Sequence, residues 1–72
     1  MNLYIFKTDI EDKEKVKSLK PIFNNNSIVY NWSIDLEDTD KVLKVEAAQG
    51  LNERDIINLV SAKGFLCETL AD

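Results

Sequence analysis

The chain has 72 residues, a net charge of −4, no histidine and a single cysteine, Cys67. A chain of this length has room for one domain, so we expect residues 1–72 to form a single domain. Negative charge disfavours binding to nucleic acid or to an anionic membrane. The lack of histidine and of a second cysteine excludes zinc fingers, iron–sulfur sites and Ser-His-Asp or Cys-His catalysis within this sequence.

The sequence predicts no membrane-spanning segment, because no stretch approaches the roughly 20 apolar residues that a span requires. The apolar N-terminal residues lack a basic leader and a cleavage site, so they predict a strand instead of a signal peptide. A lone cysteine without a partner favours a reducing compartment, and we expect the protein in the cytoplasm. Cys67 is typical of a small buried side chain, since no histidine is present to activate its thiol.

A strand and then a helix are predicted in the first third of the chain. The segment from Leu3 to Thr8 has apolar residues at both odd and even positions, so both faces of the predicted strand are apolar. This pattern is typical of a central strand. Thr8, Asp9 and Asp12 are candidate helix N-caps. The apolar face of the helix recurs at Val16, Leu19 and Phe23. Pro21 removes an amide donor inside this helix, so we expect a kink or a restart there.

A β-hairpin is predicted over residues 28–47. Alternation places one set of side chains towards the core, namely Ile28, Tyr30, Trp32, Ile34 and Leu36. Val29 belongs to the opposite, outward set. Residues 38–40 supply the turn, and residues 41–47 alternate again with Val42 outward. We therefore expect Trp32 in the core and both valines on the outer surface of the sheet.

A second helix and a short last strand complete the predicted order β-α-β-β-α-β. Asn52 is a good N-cap with Asp55 three residues on, and Gly64 stands where a left-handed residue ends a helix. Phe65 to Leu70 predicts the last strand. The predicted fold class is α+β, a ferredoxin-like βαββαβ sandwich with two helices on one face of a four-stranded antiparallel sheet.

The sequence resembles the heavy-metal-associated domain family of small copper chaperones and P-type ATPase metal-binding domains. Residues 8–12, Thr-Asp-Ile-Glu-Asp, fall where that family has Thr-Cys-x-x-Cys. Residues 32–37 and 42–45 resemble the second and third strands of the family. Residues 62–65, Ala-Lys-Gly-Phe, resemble its Ala-x-Gly-Tyr helix exit. The resemblance spans nearly the whole chain and implies the fold described above.

Aspartates occupy both cysteine positions of the resembled motif. Copper(I) prefers soft thiolates, whereas carboxylates are hard oxygen donors. The family's metal transfer therefore does not carry over to Asp9 and Asp12. Two readings of these residues stay open: a weak or altered metal site, and a solvated helix start that complements the helix dipole. No cofactor is predicted.

One face of the predicted sheet has no helix over it. We assign Tyr4, Phe6, Val29 and Val42 to that face as a possible interface, with the reverse parity of the first strand as the alternative. An apolar area on a small domain often marks a binding surface. We therefore expect a non-catalytic domain that binds a protein partner or forms a homodimer.

Altered metal binding is the second hypothesis. A small enzyme is the third, disfavoured because the lone arginine, Arg54, is not in a phosphate-binding loop.

Overall fold

A computed structural model describes residues 2–70 of the chain. The elements follow in the order β1 (Asn2–Thr8), α1 (Lys13–Asn24), β2 (Val29–Asp35), β3 (Val42–Ala47), α2 (Glu53–Ser61) and β4 (Cys67–Thr69). The strands form one antiparallel sheet in the order β2-β3-β1-β4. This confirms the predicted ferredoxin-like βαββαβ fold. Residues 1, 71 and 72, which the predicted single domain includes, lie outside the described residues.

Helix α1 begins at a side-chain cap. Asp12 has an extended backbone, and its Oδ1 accepts a hydrogen bond from the Lys15 amide at 2.9 Å, which satisfies one of the free donors at the helix start. The helix then runs through Pro21 without a break to Asn24. The expected restart at Pro21 is therefore wrong. Pro21 leaves the Lys17 carbonyl without its usual i+4 amide donor, so the helix continues with one backbone hydrogen bond fewer.

Helix α2 has the predicted cap. The Asn52 side chain accepts from the Asp55 amide at 2.9 Å, while the Asp55 carboxylate accepts from the Asn52 amide at 3.1 Å. This reciprocal pair is a capping box. The helix ends at Ser61, and Gly64 follows with φ +87°, the left-handed conformation that its position predicted. Local sequence signals therefore define both ends of α2.

The core lies between the sheet and the two helices. Leu43, Val45 and Ala47 alternate inward along β3 and are fully buried, as predicted. Ile10 and residues from both helices meet them, namely Leu19, Phe23, Ile56 and Val60. Trp32 packs on this core as expected: its ring lies 5.1 Å from that of Phe23, and its Nε1 donates to Asn24 Oδ1 at 3.0 Å.

The parity of β1 is the reverse of the one assigned from sequence. Tyr4 pairs with Val45 and Phe6 pairs with Leu43, so all four share the face that the helices cover. Phe6 is fully buried, and the Tyr4 hydroxyl donates to the Leu51 carbonyl at 2.9 Å. The assignment of Tyr4 and Phe6 to the uncovered face is wrong. Both parities of β1 are apolar, so only the register with β3 distinguishes them.

A β-bulge in β2 corrects a second assignment. Val29 pairs with Ala47 and Asn31 pairs with Glu46, which leaves Tyr30 as the extra residue between them. Val29 therefore turns towards the core, while Tyr30 is 62% exposed. Both are the opposite of the prediction from alternation, because one inserted residue shifts the period-2 pattern by one position.

Candidate functional site

The carboxylates of Asp9 and Asp12 make backbone hydrogen bonds to two different segments. Asp9 Oδ1 accepts from the Leu66 amide at 2.8 Å, a contact that joins residues 57 positions apart. Asp12 Oδ1 caps α1, as described above. Asp9 thus connects the loop after β1 to the residue that precedes β4. Each aspartate has a structural task, and the two tasks differ.

Thr8 holds the start of this loop in place. It is the buried polar residue of the described core, at 4% exposure. Its hydroxyl donates to the Lys41 carbonyl at 2.6 Å and accepts from the Ile10 amide at 3.3 Å. Because a buried hydroxyl is costly unless it is hydrogen-bonded, this pair of contacts fixes the direction in which the chain leaves β1. Asp9 and the loop are positioned as a result.

The donor set of this loop does not fit copper(I). Its side chains offer carboxylate oxygens, and copper(I) selects thiolate sulfur. The cysteine in the chain, Cys67, lies buried on β4 opposite Thr8. Burial, and then the neighbouring Glu68 carboxylate, raise the pKa of the Cys67 thiol to about 11. In the absence of a metal this thiol keeps its proton at neutral pH, which disfavours its action as a nucleophile.

Hard cations require several converging oxygens, and calcium takes six to eight. Within residues 2–70, no group of three or more histidine, cysteine, aspartate or glutamate side chains is arranged to hold a metal ion. No observation on Asp9 and Asp12 distinguishes them from ordinary capping and loop-bracing residues. Metal binding through these two aspartates stays a prediction.

The open face of the sheet, opposite the helices, carries three rows of side chains. The register aligns Asn31, Glu46 and Leu3 in one row. The next row contains Ser33, Lys44, Ile5 and Leu70, where the Leu70 amide donates to the Ile5 carbonyl at 3.0 Å. The third row contains Asp35, Val42, Lys7 and Glu68. Apolar and charged residues therefore occupy different parts of this face.

The apolar part is a strip formed by Leu3, Ile5 and Leu70, which we call the apolar strip. Leu3 is 57% exposed, and the other two are half-buried. Val42 lies on the open face as predicted, but it is 8% exposed and presents little surface. The sequence prediction therefore placed Val42 on the correct face of the sheet, and the role of that face as an interface stays a prediction. It missed the residues of the strip because the parity of β1 was not determined.

The charged part of the open face contains both signs. Lys7 lies across from Glu68, and its Nζ is 3.8 Å from an Asp40 carboxylate oxygen. Lys44 lies between Ile5 and Ser33 in the middle row. Glu46 borders Leu3 at one end of the apolar strip. The face is therefore an amphipathic surface with a charged margin.

Comparisons with known proteins identify the fold. No protein-family model and no curated protein matches the chain. Among solved structures, the chain matches one in the solution structure of the Atx1-Cu(I)-Ccc2a complex, with a TM-score of 0.86. The match covers 100% of this chain and 99% of the other at 16% sequence identity, and at that identity the similarity shows the fold.

The chain thus has a ferredoxin-like βαββαβ fold, which it shares with the matched structure. In the part of the chain that the structure describes, no helix has the length and apolar character needed to cross a membrane.

Proposed function

We propose that this chain is a non-catalytic protein-interaction domain that pairs with a second copy of itself through the open face of its sheet. The observation that carries the proposal is the apolar strip. Leu3, Ile5 and Leu70 lie together on a face that no helix covers, and Leu3 is 57% exposed. Burying such a strip against another surface releases the water that covers it.

The size of the open face suits a stable dimer. The domain measures 29 × 28 × 18 Å, and the short dimension of a two-layer sandwich runs across its layers. The broad face is therefore comparable to the roughly 800 Å² per partner that a standard interface buries. A rim of polar and charged residues around an apolar centre is also the usual anatomy of an interface.

The charges of the face favour a second copy as the occupant. Lys7 and Lys44 share the face with Asp35, Glu46 and Glu68. In a two-fold arrangement the same surface meets itself, so a surface with both signs can place its lysines near the carboxylates of its partner. A face of one sign would repel its copy. The mixed margin therefore permits self-association despite the net charge of −4.

The matched solved structure is itself a complex, containing Atx1, Cu(I) and Ccc2a. It supports a binding role for this fold, although the metal part does not transfer to a loop whose donors are carboxylates. We infer a domain without the thiolate metal site. The lone protonated thiol of Cys67 and the lack of histidine support a non-catalytic role in the cytoplasm.

Sedimentation equilibrium over micromolar to millimolar concentrations tests the proposal. We expect a mass approaching twice 8.2 kDa as the concentration rises. Leu3→Lys should give monomers, because it places a charge in the apolar strip while pairing favourably with Glu46 across the strands. Asn58→Lys is the control, since it adds the same positive charge at an exposed position of α2, in the helix layer and away from the open face of the sheet. Wild-type protein that stays monomeric throughout, or a Leu3→Lys variant that associates like wild type, overturns the proposal.

A further inference from the structure

A second surface lies on the opposite side of the molecule from the apolar strip. A cleft of about 230 Å³ runs between α1 and the edge strand β2 and the residues that follow it. Its apolar floor consists of Val16, Ile34 and Leu36, all of them half-buried. Its rim carries three exposed lysines, Lys13, Lys17 and Lys20. We call this cleft the lysine groove.

The lysine groove concentrates positive charge on an acidic protein. Helix α1 contains four lysines and one glutamate and so carries +3. Because the whole chain totals −4, the remainder carries −7. The one ion pair within residues 2–70 joins Lys7 to Asp40, so the three rim lysines have no carboxylate partner there.

The spacing of the three lysines is unfavourable for the isolated helix. Lys13 and Lys17 are four positions apart, and Lys17 and Lys20 are three apart, so neighbouring side chains of like charge lie one turn from each other. A bound anionic group would relieve this repulsion. The groove therefore combines an apolar floor, whose hydration is unfavourable, with a rim that attracts carboxylates.

We propose that the lysine groove binds an acidic peptide segment of a partner protein, with one apolar side chain of the segment on the floor and its carboxylates on the three lysines. A peptide fits better than a membrane, because a cleft of about 230 Å³ suits one or two side chains of a segment and not a flat lipid surface. The −7 carried by the rest of the chain acts against both occupants, but it opposes an extended anionic lipid surface more than a short segment that lies within the groove. This inference does not depend on dimerisation through the open face.

Fluorescence anisotropy with a labelled synthetic peptide, Asp-Glu-Asp-Leu-Glu-Asp-Glu, tests the proposal. We expect saturable binding that weakens from low salt to 0.3 M salt, since exposed charges are screened over about 10 Å at 0.1 M. Lys17→Glu should weaken binding about fivefold, and the triple reversal of Lys13, Lys17 and Lys20 should weaken it more than about tenfold. Replacing the leucine of the peptide with serine should also reduce affinity, because the floor then loses its apolar contact.

Lys15→Glu is the matched control for Lys17→Glu. It makes the same charge change on the same helix, but Lys15 does not line the groove. We expect it to alter affinity less than about twofold. Amide chemical shifts in a titration should move at Val16, Ile34 and Leu36 and stay fixed at Leu3 and Ile5, which separates this surface from the open face.

Three outcomes overturn the proposal. The first is no binding of the peptide at 1 mM protein. The second is equal weakening by Lys15→Glu and Lys17→Glu, which would indicate general charge attraction. The third is Lys17-dependent binding to phosphatidylserine-containing vesicles without peptide binding, which would assign the groove to a membrane. Sedimentation of Lys17→Glu should match wild type, so failure here and failure of the proposed dimer are distinguishable.

Discussion

Substitution of Asp9 and Asp12 separates a structural role of the acidic loop from a metal-binding role. Each carboxylate accepts one backbone hydrogen bond through Oδ1, from Leu66 at 2.8 Å and from Lys15 at 2.9 Å. Alanine removes the acceptor, whereas asparagine keeps an Oδ1 in the same place and removes the charge. If the aspartates act as hydrogen-bond acceptors, the asparagine variants should keep most of the stability and the alanine variants should lose it. A carboxylate metal site should fail with both.

The structure sets the size of each effect. Losing the N-cap in Asp12→Ala should cost about 1 kcal/mol of unfolding free energy. Losing the acceptor for Leu66 in Asp9→Ala should cost about 1 kcal/mol, less than is usual for a bond to a charged group, because the contact is exposed to solvent. For a domain of this size, 1 kcal/mol corresponds to about 4–8 °C in Tm. The asparagine variants should lose less than half of that, since asparagine and aspartate cap helices almost equally at position 12 and asparagine keeps a carbonyl acceptor for Leu66 at position 9.

Thermal unfolding followed by circular dichroism measures all four variants with and without 1 mM calcium, magnesium, manganese or zinc, and with copper(I) under reducing conditions. We expect Tm to be highest for wild type, lower for the asparagine variants and lowest for the alanine variants. We expect none of the metals to raise Tm. A ligand that binds the folded state raises Tm in proportion to the logarithm of its concentration over Kd. A metal-dependent rise that both asparagine variants abolish would refute the structural reading and establish the metal site.

Three further predictions concern single side chains. The free energy of unfolding should fall by about 2–3 kcal/mol as pH rises from about 9 to about 11. The unfolded Cys67 thiol ionises near its ordinary pKa of 9.0, whereas the folded thiol holds its proton to about 11. In urea titrations at these pH values, Cys67→Ala should lack this component. Gly64→Ala should cost about 1 kcal/mol in chemical denaturation, since φ is +87° and no atom lies within 4 Å of the added Cβ; an unchanged midpoint contradicts this. Tyr4→Phe should lower the free energy of unfolding by about 1 kcal/mol, because it loses the hydrogen bond to the Leu51 carbonyl. Its sedimentation should match wild type, and altered association would instead place Tyr4 at the interface.

Local signals predicted the element order and the caps, because each depends on residues close together in sequence. The Asn52–Asp55 capping box and the Asp12 cap each join residues three positions apart. The alternation of β3 also held, since Val42–Ala47 pairs regularly with β1 and buries every second residue from Leu43. The ferredoxin-like order then leaves few ways to wrap the chain.

Features that depend on distant pairing could not be read from the sequence. The parity of β1 follows from its register with β3, because Leu3 and Ile5 are as apolar as Tyr4 and Phe6. The bulge at Tyr30 has no marker such as glycine in the sequence around it. The bond from Leu66 to Asp9 joins residues 57 positions apart, so no local spacing points to it.

The lysine groove is an intermediate case. The spacing of Lys13, Lys17 and Lys20 on one helix face is visible in the sequence. The apolar floor is not, because Ile34 and Leu36 reach α1 only when the edge of the sheet packs beneath that helix. Charge patterning therefore indicates the rim, and tertiary structure supplies the pocket.

The strand order has a consequence for how the chain folds during synthesis. Strand β1 is made first, yet it occupies the sheet interior between β3 and β4. Its two partners, Val42–Ala47 and Cys67–Thr69, emerge from the ribosome only later, the second of them after every other described strand and helix. Before β3 emerges both backbone edges of this apolar strand are unpaired, and before β4 emerges one edge is still unpaired, which is the condition that invites aggregation and engagement by chaperones. Nascent chains stalled before residue 67 should therefore be far more sensitive to protease than the released protein.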